Sequence, residues 1–174
     1  MGFNERHAFE PDCARIIMDV CIVLGSKSDM AVCDKCTSIL DQLGVEHRVR
    51  IASAHRAPKF LEEVVSGSVE GGCKIFIGMA GLSAALPGVI ASMTALPVIG
   101  VPVGGKVPFD SLLSVVQMPP GVPVAAVGVD RGDNAAVLAA QMLALGDDEL
   151  ADRLRNWRTS RTESVIADDE SIGS

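Results

Sequence analysis

The stretch Ile51-Ala52-Ser53-Ala54-His55-Arg56-Ala57-Pro58 ends an alternating apolar run and opens a helix. Pro58 suits a first helical turn, because the N–H that proline lacks would have no partner there. A second turn of the same kind, Gly25–Asp29 (Gly-Ser-Lys-Ser-Asp), follows the preceding apolar run. Two strand-to-helix turns of this type indicate strands that alternate with helices, and together they can form one anion pocket.

Strand-like and helix-like patterns alternate five times along the chain, which predicts an α/β fold with a parallel sheet. Right-handed crossovers then place helices on both faces of the sheet. The predicted strands cover residues 18–24, 45–51, 73–77, 97–101 and 122–129. A helix is predicted after each of the first two turns, and a third helix is predicted to end near residue 94. Three more are predicted at 111–117, 135–145 and 147–161, with Asp110 as the cap of the first of these three.

The composition favours a compact enzyme-sized domain and excludes several classes of protein. Of the 174 residues, 48% are hydrophobic but only 3% are aromatic, so the core must be aliphatic. A net charge of −7 argues against a nucleic-acid partner, and no apolar run is long enough to span a membrane. We expect a flexible leader at 1–17, one catalytic domain at 18–165, an acidic unstructured tail at 166–174 and a cytoplasmic location.

The five cysteines do not form a secreted disulfide pattern, because their number is odd and they are scattered. Cys33 and Cys36 form a C-x-x-C pair inside a predicted helix, with no second pair to complete a zinc site. Helix packing is the favoured interpretation, and a redox or metal role is the alternative. The single tryptophan, Trp157, is expected to anchor the last helix on this or a neighbouring subunit.

Polar residues follow the first two strands at the carboxyl edge of the sheet, where ligands bind in such folds. Backbone N–H groups and the hydroxyls of Ser26 and Ser28 suit a phosphate, and Asp29 suits ribose hydroxyls. The alternative for this turn is a plain helix cap, with Asp29 or Ser28 as the capping residue. Arg56 stands at a helix start, where the helix dipole does not favour a cation, so an anion between them is expected; a surface arginine is the alternative.

His55 is the candidate general acid or base, since imidazole titrates near neutral pH. A capping or packing histidine is the alternative. The chain has no G-x-S-x-G elbow, so proton transfer without a covalent serine is the sharper hypothesis. The small-residue stretch Gly78–Gly88 lets backbone approach a ligand closely, or serves helix packing.

From about residue 22 to 158 the sequence resembles the PurE family of purine biosynthesis. The similarity rests on ordered motifs rather than on one signature. They are Gly-Ser-Lys-Ser-Asp at 25–29, Ser-Ala-His-Arg at 53–56, Leu-Pro-Gly at 86–88, Pro-Val-Ile-Gly-Val-Pro-Val at 97–103, Ser-Leu-Leu-Ser-Val-Val-Gln-Met-Pro at 111–119, Asn-Ala-Ala at 134–136 and Ala-Ala-Gln at 139–141.

This resemblance implies a flavodoxin-like three-layer α/β/α sandwich and a homo-octamer with sites between subunits. It implies carboxylate transfer from N5 to C4 of an aminoimidazole ribonucleotide through CO2, with no metal or other cofactor. His55 then matches the proton shuttle, and Asp29 matches the ribose-binding aspartate. The resemblance also implies that Ser28, Ser53 and Arg56 bind the phosphate. It implies that main chain around Ala80, Gly81 and Leu82 holds the base and CO2.

Two classes of the family remain open. Mutases of the family usually carry a histidine just before Leu-Pro-Gly, where this chain has Ala85. The second class carboxylates aminoimidazole ribonucleotide directly with CO2 and usually has lysine where this chain has Arg56. Arg56 therefore favours the mutase, Ala85 weakens that preference, and the carboxylase is the near alternative. A nucleotide-binding module without catalysis is the remote alternative, and the intact His55 argues against it.

Overall fold

The computed structural model describes residues 18–172, so the predicted leader at 1–17 lies outside the described residues. Five strands alternate with helices in the described part of the chain, in agreement with the predicted order of elements. The strands are β1 (Val20–Leu24), β2 (His47–Ile51), β3 (Ile75–Ala80), β4 (Val98–Pro102) and β5 (Ala125–Ala126). The helices are α1 (Met30–Gln42), α2 (Pro58–Glu70), α3 (Leu86–Met93), α4 (Pro108–Val116), α5 (Gly132–Leu143) and α6 (Asp148–Ile172).

All strand pairs are parallel, and their order across the sheet is β2-β1-β3-β4-β5. This order is that of flavodoxin-like folds, and the predicted parallel sheet is confirmed. The chain moves outward from β1 to β2 and then returns to place β3 on the other side of β1. The carboxyl ends of β1 and β3 therefore flank the point where the direction of winding reverses, which is where such sheets bind ligands.

Two apolar layers hold helices against the two faces of the sheet. Helices α1, α5 and α6 cover one face, where they contact residues such as Ile22 and Ile77. Helices α2, α3 and α4 cover the other face, around Phe76, Val23 and Val98. Strands β1, β3 and β4 are buried along their whole length, as expected for a parallel sheet covered on both sides.

The third strand is longer and the fifth shorter than the sequence predicts. β3 continues through Ala80, although Gly78 was assigned to the following loop. Gly78 is compatible with a strand here because Pro87 of α3 packs over it; a Cβ at Gly78 would lie 3.1 Å from the Pro87 Cα. β5 covers two residues of the predicted 122–129, and Pro123 has no N–H to donate to a longer ladder.

Three helices begin or end elsewhere than predicted, and one of them is α5, which begins at Gly132 rather than Ala135. α4 begins at Pro108, so Asp110 lies within its first turn and does not cap it. α6 continues to Ile172, and the expectation of an unstructured tail from residue 166 is wrong for the described residues. No Gly or Pro interrupts the sequence between Asp148 and Ile172, so the helix has no stop signal before Gly173.

The predicted packing roles of Cys33, Cys36 and Trp157 fit the structure. Both thiols are fully buried in the layer between α1 and α5. Burial raises the pKa of Cys33 to about 11 and raises that of Cys36 further, which leaves both thiols protonated and unreactive. Trp157 anchors α6 on its own subunit, where its Nε1 donates to Gln42 Oε1 at 3.0 Å. Among residues 18–172, no helix has the length and apolar character to cross a membrane.

Candidate functional site

An open cleft of about 750 Å³ lies along the carboxyl edge of the sheet. The turns that follow β1 and β2 form one side, which we call the polar wall (Gly25–Asp29 and Ser53–Arg56). The loops that follow β3 and β4 form the other side, which we call the small-residue wall (Ala80–Leu86 and Val103–Val107). The structure brings every predicted site residue into this cleft: Ser26, Ser28, Asp29, Ser53, His55, Arg56, Ala80, Gly81 and Leu82.

The first turn of the polar wall is held by a reciprocal set of hydrogen bonds. The Ser28 backbone N–H donates to Ser26 Oγ at 3.3 Å, and the Ser26 N–H donates to Asp29 Oδ2 at 3.1 Å. Asp29 occupies the N-cap position of α1, as one of the two predicted caps, but its side chain makes no capping hydrogen bond there. A short 3-10 turn at Lys27–Asp29 precedes α1, and the side chain that caps this turn is that of Ser26.

Asp29 is buried at the base of this turn and accepts on both carboxylate oxygens. Its second partner is the Ser28 hydroxyl, which donates to Asp29 Oδ1 at 3.1 Å. Burial raises the pKa of Asp29 above the usual carboxyl range, while the Ser28 and Ser26 hydrogen bonds and the charge of Arg56 oppose the shift. Each oxygen keeps a further lone pair, so the carboxylate can still accept from a ligand hydroxyl.

Arg56 ties the two turns of the polar wall together. Its Nη2 donates to the carbonyl oxygen of Gly25 at 2.9 Å, and its Nε donates to Ser53 Oγ at 3.3 Å. The Arg56 backbone N–H also donates to Ser53 Oγ at 3.3 Å. A guanidinium has five N–H groups, so these bonds fix its plane and leave donors for an anion in the cleft.

His55 lies between Ser53 and Arg56 in sequence and lines the same cleft. Its side chain is exposed, and within residues 18–172 the imidazole makes no hydrogen bond and no ion pair. Neither the capping nor the packing alternative for His55 therefore has a contact to support it. An imidazole without protein partners can exchange a proton with a ligand bound in the cleft.

A carboxylate from α4 supports the small-residue wall, and sequence reasoning missed it. Asp110 Oδ2 accepts a hydrogen bond from the backbone N–H of Ser83, which lies 27 residues away in sequence. Ser83 has a left-handed backbone with φ of 48°, which is uncommon for serine. The only sequence signal was an acidic residue in a first helical turn, which predicts a cap as readily as a long-range contact.

Asp130 supports the second loop of the small-residue wall, and it was also missed. Its Oδ1 accepts from the Gly104 N–H at 2.8 Å, and it lines the cleft together with Lys106. Gly104 is required by this close approach, since a Cβ there would lie 2.6 Å from Asp130 Oδ2. The loop places Lys106 at the cleft, although no motif around Lys106 identifies it as a site residue.

The chemistry of the lining side chains indicates an anionic ligand rather than a metal ion. Among residues 18–172, no three His, Cys, Asp or Glu side chains come together as a metal site. Two cations, Arg56 and Lys106, face the cleft instead. Ala85 also lines it, so a methyl group stands at this position of the small-residue wall.

The family described as AIR carboxylase matches residues 19–164. The chain belongs to this family. The resemblance stated from the motifs is therefore confirmed over nearly all of the described residues.

Two relatives named for different reactions illustrate the range of the AIR carboxylase family. The N5-carboxyaminoimidazole ribonucleotide mutase of Methanocaldococcus jannaschii is 51% identical over 154 residues, which cover 88% of this chain and 96% of that protein. The chloroplastic phosphoribosylaminoimidazole carboxylase of Vigna aconitifolia is 41% identical over 152 residues. That match covers 86% of this chain but 27% of the plant protein.

A solved structure of the family has the same fold. The crystal structure of Treponema denticola PurE superimposes with a TM-score of 0.80 at 31% sequence identity. The match covers 89% of this chain and 98% of that chain. The predicted flavodoxin-like fold is confirmed.

Proposed function

We propose that this chain interconverts N5-carboxyaminoimidazole ribonucleotide and 4-carboxy-5-aminoimidazole ribonucleotide in de novo purine biosynthesis. The observation that carries the proposal is the joining of the two turns of the polar wall by Arg56, with His55 unpartnered beside it. The relatives named for the mutase reaction give the substrate class.

The polar wall suits the ribose 5-phosphate part of the substrate. Ser28 and Ser53 offer hydroxyls, and Arg56 offers its remaining N–H groups to the phosphate oxygens. The N-terminal end of α1, which follows the first turn, adds a favourable dipole for the anion. Asp29 accepts from the ribose hydroxyls, and its raised pKa is lowered again by such hydrogen bonds.

The reaction needs one group that moves a proton. When the N5–carboxyl bond breaks, CO2 leaves and N5 takes up a proton. When C4 then attacks CO2, a carbon–carbon bond forms and C4 gives up its proton. His55 is the imidazole at the cleft, and it can carry the proton in both steps.

The small-residue wall suits the base and CO2. Ala80, Gly81 and Leu82 follow β3 and present backbone and short side chains to the cleft. A wall of this kind approaches a planar base closely and leaves little room for water beside CO2. Escape or hydration of CO2 is thereby disfavoured during transfer.

The proposal includes a homo-octamer with sites between subunits, as the family resemblance implies. Helix α4 supports an interface, because it exposes large apolar residues next to the cleft: Phe109 at 75%, Leu113 at 52% and Val116 at 44% exposure. Light scattering at micromolar concentration tests this part. A monomeric mass would reject it without affecting the assignment of the cleft residues.

The proposal places the enzyme in the cytoplasm. All four cysteines of the described residues are free thiols, and all four are buried. Free thiols are usual where the cell keeps proteins reduced. Microscopy of a tagged full-length protein checks the location.

Direct carboxylation of aminoimidazole ribonucleotide by CO2 is the second candidate. It is favoured by Ala85 at the cleft and by the plant relative named as a carboxylase. Its chemistry uses only the second half of the transfer, so the same residues serve it.

An assay of the purified protein with each ribonucleotide separates the two candidates. The mutase converts N5-carboxyaminoimidazole ribonucleotide to the 4-carboxy product without added bicarbonate. The carboxylase forms that product from aminoimidazole ribonucleotide, at a rate that rises with bicarbonate. No turnover with either substrate would contradict both, and binding without turnover would favour a non-catalytic module.

A further inference from the structure

We propose that Lys106 binds the carboxylate of the carboxylated ribonucleotide and so determines the preference for that nucleotide over its decarboxylated form. Lys106 would act as a specificity residue, not as a proton carrier. The inference rests on the proposed function, since it takes the ligand to be an aminoimidazole ribonucleotide.

Among the charged side chains that line the cleft, one cation is available to bind the carboxylate of the ligand. The charged side chains of the cleft are Asp29, Arg56, Lys106 and Asp130. Asp29 and Asp130 accept hydrogen bonds from the backbone of their own walls, and Arg56 is fixed at the polar wall. The proposed ligand has two anionic groups, a phosphate at one end and a carboxylate at the other. With Arg56 at the phosphate, Lys106 is the remaining lining cation.

The position of Lys106 in the fold fits the carboxylate end. Arg56 follows β2 and Lys106 follows β4, and three strand spacings separate these strands in the order β2-β1-β3-β4. At roughly 4.8 Å each, the spacings add up to about 14 Å. The wall proposed to hold the base follows β3, directly beside β4. Gly81 of that wall lies beside the loop that carries Lys106. A Cβ added at Gly81 would be 3.6 Å from the carbonyl oxygen of Val103, where this loop begins.

Lys106 is also free to take a ligand. Within residues 18–172 its Nζ makes no hydrogen bond and no ion pair, whereas Lys74 pairs with Asp19 and Lys35 donates to the Asp130 carbonyl. The loop that carries Lys106 is anchored at Gly104 by Asp130 and ends where α4 begins at Pro108. Its side chain is therefore exposed and unpaired in the described residues, and it is attached at a fixed place beside the base wall.

Calorimetry with two nucleotides tests the proposal. The probes are 4-carboxy-5-aminoimidazole ribonucleotide and 5-aminoimidazole ribonucleotide, which differ by the carboxylate. Lys106→Met should weaken binding of the first by about tenfold, as expected for loss of a charge-assisted contact, and leave the second within about twofold. Lys106→Arg should restore most of the difference. Lys59→Met removes the same charge from an exposed position outside the cleft and should change neither affinity.

The outcomes separate this inference from the proposed function. Equal weakening of both nucleotides by Lys106→Met, or no change in either, overturns the role of Lys106 while the proposed function stands. If the unmodified protein binds neither nucleotide, the proposed function itself is overturned. The difference should also shrink as salt is raised, because an exposed charge pair is screened.

Discussion

The two walls of the cleft are built by different means. In the polar wall, most supporting hydrogen bonds join residues one to three positions apart, such as Ser26 with Asp29 and Ser53 with Arg56. In the small-residue wall, the supporting carboxylates come from far along the chain. Asp110 reaches back 27 residues to Ser83, and Asp130 reaches back 26 residues to Gly104.

This difference separates binding from chemistry in the proposed function. The polar wall is set by its own sequence and presents side chains that attract an anion whether or not a base is bound. The small-residue wall presents backbone, and its shape depends on contacts made only after the chain has folded. Loss of the hydrogen bonds that hold the polar wall should therefore reduce affinity for the ribose 5-phosphate part, whereas loss of those that hold the backbone of the small-residue wall should reduce turnover.

The largest effect is expected from His55, which belongs to the polar wall but serves chemistry. His55→Asn should lower kcat by about 10²–10⁴-fold, the usual contribution of general acid–base catalysis, with nucleotide affinity changed far less. Steady-state kinetics and calorimetry measure the two quantities. His47→Asn is the matched control, because His47 lies at the opposite end of β2 and bonds to the Val45 carbonyl. Retention of most turnover in His55→Asn would contradict the proposed mechanism.

Removal of Arg56 should disconnect the two turns of the polar wall. Arg56→Ala loses the link to Gly25 and the cation for the phosphate, so nucleotide affinity should fall by about 1.5–3 kcal/mol. Ribose 5-phosphate should lose affinity in proportion, because it touches the same wall. Arg48→Ala removes a charge from β2 outside the cleft and serves as the control. Unchanged affinity by calorimetry would refute the phosphate assignment.

Loss of Asp110 should affect only the small-residue wall. Asp110→Ala leaves the Ser83 N–H without its acceptor, so the wall loosens and kcat should fall by about tenfold. Binding of ribose 5-phosphate should not change, since it reaches only the polar wall. Asp110→Asn keeps a carbonyl acceptor and should have a milder effect. An equal loss of ribose 5-phosphate affinity in Asp110→Ala would show that the walls are not independent.

The smallest effect at neutral pH concerns the stability of the helix layer beneath the polar wall, which changes only at alkaline pH. Burial raises the pKa of Cys33 to about 11, above the value of about 8.5 for a thiol in an unfolded chain. The unfolded chain therefore loses this proton first as pH rises, and the free energy of unfolding falls between about pH 8.5 and 11, by at most ~1.4 kcal/mol per pH unit for one thiol. Urea denaturation at pH 7 and pH 10 should show a smaller loss in Cys33→Ala. An identical loss in both proteins would contradict this origin.

Sequence reasoning found the polar wall because its signals are local. Small hydroxyl residues, an aspartate and an arginine stand together at two strand ends, and alternation of strands and helices places those ends at one edge. It missed Asp110 and Asp130 because their partners are distant in sequence, and it missed Lys106 because no motif surrounds that residue. An acidic residue at a helix start, or a lysine in a glycine loop, carries no signal that a particular backbone N–H or ligand will meet it.

The ends of strands and helices were likewise predicted well where local sequence signals decide them and less well where tertiary contacts do. The long buried strands and the helices with clear glycine stops were close to prediction, whereas β3 and β5 differed. Gly78 continues β3 because Pro87 packs on it, and Pro123 shortens β5, so tertiary contact and a missing donor decided these ends. The 3-10 turn capped by Ser26 was not predicted, because such a turn has no sequence mark distinct from a helix start.

Helix α6 divides into an inner and an outer half, which differ in what holds them in place. Its 25 residues span about 37 Å, but only Leu150 and Leu154 are buried, and every residue from Arg158 to Ile172 is exposed. An undocked helix of that size is marginal in water, so the outer half depends on its own backbone hydrogen bonds. On warming a single subunit, circular dichroism would show a shallow early loss of helix from the outer half, followed by the sharp cooperative transition of the core.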